Sequence, residues 1–99
     1  MFKVMIMLTR KEELSNSDFK NWWLNEHSKL ASKLPGLKKG CFNLVRNEDS
    51  PFDGVSELWC DSKDDFTSSF ESEIGKSVVA DSMAHVSGRT RLIVEENIL

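Results

Sequence analysis

The chain has no tyrosine, two prolines, two cysteines and five glycines in 99 residues. So little Pro and Gly excludes collagen-like and low-complexity architectures. Two cysteines without Cys-x-x-Cys spacing exclude a disulfide scaffold and a zinc knuckle, and suit a reducing compartment in which free Cys is a small buried hydrophobe. Positive charge is not in excess: 13 Lys plus Arg stand against 16 Asp plus Glu, a net −3 with both signs scattered. No basic stripe exists to neutralise a phosphate backbone, so nucleic acid is not an expected partner. Long apolar runs are also missing. The stretch from Val4 to Leu8 is far too short to span a bilayer, and Lys3 and Arg10 flank it without a small-residue cleavage site. No membrane partner is expected, and the reading is a soluble, unexported, cytoplasmic protein. There is no glycine-rich phosphate cradle and no close His or Cys pair, so neither cofactor nor metal is expected. A chain this long buries roughly 63% of its unfolded surface, which allows one core and a single domain over residues 1–99.

Hydrophobic periodicity predicts six elements. Residues 2–9, rich in Val, Ile and Met, read as a buried strand ending in the charged run from Arg10 to Glu13. Ser15 and Asp18 form a loose capping box, and Phe19, Trp23, Leu30 and Leu34 recur at helical spacing until Pro35-Gly36, giving a helix of about five turns. Residues 37–47 and 54–60 read as two strands joined through turn residues at Asn47–Pro51 and Asp53-Gly54. Ser62 and Asp65 start a second helix carrying Phe66, Phe70 and Ile74, which Gly75 is expected to break. A short helical piece over 78–84 and a strand over 90–94 complete the chain. The order β-α-β-β-α-β predicts an α+β ferredoxin-like fold, an antiparallel sheet with both helices on one face.

Alternation within the strands adds a constraint. Phe2, Val4, Ile6 and Leu8 point one way and Met5 and Met7 the other, so both faces of the first strand are apolar. Two helices cover only one of them, and a second copy of the chain is the expected cover for the other. Leu58 and Cys60 are the plainer core pair and are assigned beneath the helices. Val55, Glu57 and Trp59 then fall on the open face.

The segment from Asp53 to Trp59 resembles the Asp-Gly-x-x-Glu-Leu-Trp stretch of the EthD family. Phe19, Trp22, Trp23 and His27 resemble its Phe-x-x-Tyr-Trp-x-x-x-His pattern, Leu34-Pro35-Gly36-Leu37 follow at the expected distance, and Asp81 resembles the Asp of its later Val-x-x-Asp stretch. Gly40 and His85 depart from the pattern, each where an aromatic is common. The resemblance implies a homodimer in which two ferredoxin-like protomers pair as a dimeric α/β barrel. Its relatives in fold include methylmuconolactone isomerases and monooxygenases. Spacing leaves His27 on the margin of the buried helix face, either as a general acid or base or as a packed structural histidine. Glu57, in an apolar interior, either holds its proton or pairs with Arg46, Arg89 or Arg91. Trp59 is a wall for a planar ligand or an interface tryptophan, and His85 shares a helix face with Asp81.

The expected protein is therefore an EthD-like enzyme doing cofactor-free acid–base chemistry, such as isomerisation, on an apolar cyclic metabolite. His27 and His85 would be acid and base and Glu57 the polar anchor, in a pocket open between the sheet and the His27 margin of the helix. Trp23, Trp59, Met5, Met7 and Asp81 would contact the substrate. Two alternatives stand beside it: a non-catalytic accessory protein sheltering a hydrophobic molecule, and a cofactor-free or haem-linked monooxygenase.

Overall fold

Strand β1 (Phe2–Arg10) is an inner strand of the computed structural model, which describes residues 1–99. Its neighbours are β3 (Gly54–Cys60) and β4 (Val86–Val94), and β2 (Lys39–Leu44) lies beyond β3, in the order β2-β3-β1-β4. Every pairing is antiparallel. A helical run joins β1 to β2: α1 (Asn16–Asn21), a π-helical turn (Trp22–His27) and α2 (Ser28–Ala31). Helices α3 (Lys63–Glu71) and α4 (Glu73–His85) join β3 to β4. This is the ferredoxin-like arrangement expected from the order of elements.

The register assigns the faces. Val4 opposes Leu58 and Ile6 opposes Ser56, and this face packs under the helices against Phe19, Trp22, Trp23 and Phe66. Each large apolar side chain fully buried here contributes about 1.5–3 kcal/mol relative to exposure. Met5 opposes Glu57, Met7 opposes Val55 and Lys3 opposes Trp59 on the other face. The assignment of Leu58 and Cys60 to the core and of Val55, Glu57 and Trp59 to the open face is therefore the observed one.

Several boundaries differ from expectation for identifiable reasons. Ser15 and Ser62 cap as expected, accepting from the Asp18 and Asp65 amides. Gly75 does not break the second helix; Ser72 does, ending α3 and then capping α4 by accepting from the Gly75 amide at 3.0 Å. Glycine is required at position 75 because a Cβ there would run into the Ser69 carbonyl and sit 2.5 Å from Phe70 Cα. The piece expected over 78–84 is thus part of α4. Strand β4 starts at Val86, directly after His85, and β2 is shorter than residues 37–47. Gly36, at φ +78°, makes the turn after the first helical run. Leu44 opposes Gly54, so Cys41 faces Glu57 while Cys60 faces Phe2; the two thiols are not partners, and both are free.

Candidate functional site

The π-helical turn builds the site. In an α-helix, residues five apart are separated by about 140° around the axis, and His27 would sit at the edge of the face set by Trp22 and Trp23. A π turn closes at i→i+5, as in the Ser28 amide donating to the Trp23 carbonyl, and brings residues five apart to nearly the same side. Trp22 and His27 accordingly lie 4.8 Å apart between ring centres, and Trp22, Trp23 and His27 are all buried. His27 is 4% exposed, well inside the margin that α-helical spacing assigns to it.

Asp81, on α4, faces this turn. Its Oδ2 accepts from His27 Nδ1 at 2.7 Å and from Trp22 Nε1 at 3.1 Å. A carboxylate only accepts, so Nδ1 carries the proton. Burial pushes the His27 pKa below its ordinary 6.5, more than Asp81 raises it, so the imidazole is neutral at pH 7 with its lone pair on Nε2. The Ser82 hydroxyl, 3.3 Å from Nε2, is then the donor to that nitrogen. His85 stacks on Trp22 at 4.1 Å and its Nδ1 lies 2.7 Å from the Asp81 carbonyl oxygen. Asp81 thus holds three side chains of the cluster and sits behind His27, in the place of an orienting group.

His27 and Ser82 line a cavity of about 20 Å³ between helices and sheet, with Ile6, Leu8, Trp23, Phe42, Ser56 and Arg89 among its walls. A volume above roughly 10–15 Å³ with polar partners holds one water. Beside it, a groove of about 430 Å³ runs between the first helical run and β2, and the two share Ala31, Phe42 and Leu58. Phe42 is stacked on Trp23 at 4.4 Å and lines both groove and cavity. Trp23 is fully buried, and its Nε1 has no partner.

The sheet separates the remaining expected site residues from this cavity. Glu57, Trp59, Met5 and Met7 lie on the open face, opposite the side on which His27 and Asp81 sit, so the single pocket expected to unite His27 with Glu57 and Trp59 does not exist. Glu57 is an ion pair, but not with Arg46, Arg89 or Arg91. Its partner is Lys3, its diagonal neighbour across the β1–β3 pairing, at 3.1 Å; Lys3 also reaches Glu96 at 2.8 Å. Glu96, with Glu57, raises the Lys3 pKa, and the Lys3 ammonium holds the Glu57 carboxyl below its usual range. Glu57 is thus ionised at neutral pH rather than a proton donor. The ammonium groups of Lys3 and Lys39 lie 4.5 and 4.7 Å from the Trp59 ring centre, and the tryptophan is buried beneath them. Lys3, Ser56, Ser82 and Arg89 were not marked by any motif. Their signal is the register, which places Arg89 opposite Leu8 and hence under the helices.

Comparison with known proteins agrees with this architecture. No curated protein matches the chain. An ethyl tert-butyl ether D (EthD) family protein from Bacillus halodurans has a similar solved structure, with a TM-score of 0.84 and 24% identity over 98% of this chain and 100% of that one. A dimeric ferredoxin-like protein of unknown function from Bacteroides fragilis is similar at a TM-score of 0.77 and 12% identity, covering 96% and 95%. SnoaB from Streptomyces nogalater, a cofactor-independent oxygenase, is similar at a TM-score of 0.72 and 10% identity, covering 99% and 94%. These likenesses are of fold. The EthD domain model matches residues 11–88, a span that holds α1 to α4, β2, β3 and the whole His27–Asp81–Trp22 cluster, and the chain belongs to the EthD family.

Proposed function

We propose that this EthD protein carries out cofactor-free proton transfer, of the kind that isomerises a ring compound, on an apolar small molecule bound between helices and sheet. The observation that carries the reading is His27: buried, neutral, with Nδ1–H fixed on Asp81 and an unprotonated Nε2 that accepts from Ser82 at the wall of a largely apolar cavity and is freed as base when that hydroxyl rotates away. Asp81 sets the tautomer and stabilises the imidazolium once a proton is taken, and a base with a pKa near or below neutrality is available at pH 7. His85 stacks on Trp22 and does not line the cavity, so His27 both removes and returns the proton. The step draws on no group beyond these side chains.

Access requires the Phe42 ring to leave Trp23, joining groove to cavity. The groove also supports a second reading, a non-catalytic protein that shelters a hydrophobic molecule, since Leu24, Ala31, Leu37 and Phe42 line it. Deuterium uptake at the α-carbon of small cyclic ketones and lactones, followed by NMR, separates the two. Acceleration by the wild-type protein and its loss in His27→Gln support catalysis; equal uptake with both proteins contradicts it.

We also infer that the open face pairs with a second copy. Met5, Met7, Val55 and Val94 are only partly covered there and Leu92 is exposed, while solved relatives in fold from Bacteroides fragilis and Thermobifida fusca are dimeric. Face-to-face pairing should bury more than about 1,200 Å². Sedimentation at micromolar concentration should give twice the chain mass; a stable monomer contradicts the pairing.

A further inference from the structure

Arg89 is a cation without a counterpart. Lys3, Arg10, Lys38 and Lys76 have carboxylate partners, and the other unpaired Lys and Arg side chains, Lys11 apart, are exposed to water. Arg89 makes neither an ion pair nor a hydrogen bond through its side chain, although it is half-buried and opposes Leu8 on the helix-covered face. Its guanidinium keeps its proton under any ordinary condition, and a cation withdrawn from water is costly unless paired. Nearby charge deepens the mismatch, because Arg91 adds repulsion to the burial that already lowers the Arg89 pKa. Arg89 shares the cavity wall with His27, Ser56 and Ser82. The cavity wall therefore offers one unpaired cation and one base close enough to feel its charge, the complement of an oxygen that is or becomes anionic beside an acidic C–H.

We propose that Arg89 holds the carbonyl oxygen of the substrate as it becomes an enolate, which makes the substrates apolar, enolisable carbonyl compounds. The proposal rests on the reading of His27 as the base. His27 Nε2 takes the α-proton, the C–H electron pair forms the new C=C bond, and the carbonyl π pair moves to oxygen, where the guanidinium receives it. In a saturated carbonyl compound the imidazolium returns the proton to the α-carbon and the carbonyl reforms. In a β,γ-unsaturated one it returns the proton to the γ-carbon of the dienolate, the double bond shifts into conjugation and the carbonyl reforms. Atoms and electrons balance within the substrate and His27. Arg89 touches the reacting oxygen and lowers the energy of the charged intermediate in a site from which water is largely excluded.

Benzoate, a planar stable anion, and benzamide, its neutral counterpart of the same shape, test this with the full chain. Binding is followed by shifts in the tryptophan indole N–H NMR signals, since Trp22 and Trp23 adjoin His27 and remain in every variant. The wild-type protein should prefer benzoate by about tenfold or more, Arg89→Gln should abolish the preference, and Arg89→Lys should retain part of it. Arg89→Gln should also melt no lower than wild type, since it removes an unpaired buried charge. Equal binding of both probes, no binding of benzoate, or an anion preference that survives Arg89→Gln would overturn the proposal. His27→Gln should keep the preference while losing deuterium exchange. Exchange that depends on His27 without any anion preference defeats the Arg89 assignment alone; an anion preference without exchange defeats the base.

Discussion

A single methyl group added at Gly54 tests the packing that brings the site together. Gly54 begins β3, and an ideal Cβ there would lie 2.6 Å from Cζ3 and Cη2 of Trp23, far inside ordinary van der Waals contact. Without that neighbour, Gly→Ala in a strand is expected to stabilise by roughly 0.5–1 kcal/mol, because glycine loses more chain entropy on folding. The indole reverses the sign. Trp23 is wholly buried and stacked on Phe42 at 4.4 Å, and the cavity on its wall, about 20 Å³, is far smaller than the indole, so it has little room into which to retreat. Overpacking of this kind costs about 1–3 kcal/mol. In a domain this size each kcal/mol moves Tm by about 4–8 °C, so Gly54→Ala should lower Tm by at least several degrees in a thermal denaturation followed by circular dichroism. Replacing Trp23 by Leu should shrink the penalty of the second change, a coupling that a double-mutant cycle reads directly. A Tm for Gly54→Ala equal to or above wild type would refute the claim that Trp23 occupies the glycine's missing side chain.

Asp81→Asn keeps the shape of the residue behind His27 and removes its charge. The two hydrogen bonds from His27 and Trp22 weaken, costing about 1–3 kcal/mol in chemical denaturation, toward the low end because Asp81 is partly exposed. The His27 pKa should fall further, since burial remains and the carboxylate that opposed it is gone; an unchanged or raised value in an NMR titration would contradict the assignment. Wild-type stability should also depend on pH through His27, which faces Asp81 and His85 on α4 and Arg89 on β4. With the folded pKa below 6.5, the unfolded chain binds more protons between the two values. The His27 contribution is therefore complete above about pH 6.5 and is lost as pH falls through the folded pKa. Glu57 and Glu96, held low by Lys3, lose their contribution only at lower pH, below their ordinary 4.5. His27→Gln should flatten the upper part of that decline, as measured by Tm against pH.

The fold was legible because its signals are local. Two serine caps, the Pro35-Gly36 stop and the alternation of Val4, Ile6 and Leu8 against Met5 and Met7 each follow from nearest-neighbour chemistry, and together they fix element order and the faces of the sheet. Gly75 misled because glycine serves both as a helix breaker and as a residue that permits close approach. Here it is the second, and the break belongs to Ser72. His27 and Asp81 were both identifiable, but their contact was not, since it spans 54 residues and depends on a π turn that α-helical spacing does not encode. Glu57 and Trp59 were placed on the correct face of β3, yet the inference that this face adjoins His27 failed. Strand alternation says which side a residue takes, and His27 comes from helices that cover only the other side. Arg89 carries no local signal at all. Its meaning arises from what it lacks, a partner, and that is visible only once the register sets it against Leu8.

The central claim is that His27 stands as a neutral base with an unprotonated Nε2 beside Ser82 at the cavity wall, and ¹⁵N NMR of the histidine ring at pH 7 tests it most directly. The structure predicts a protonated Nδ1, an unprotonated Nε2 and a pKa below 6.5 for this residue. An imidazolium at pH 7, or a neutral ring whose proton resides on Nε2, would leave no base facing the substrate and would contradict the account.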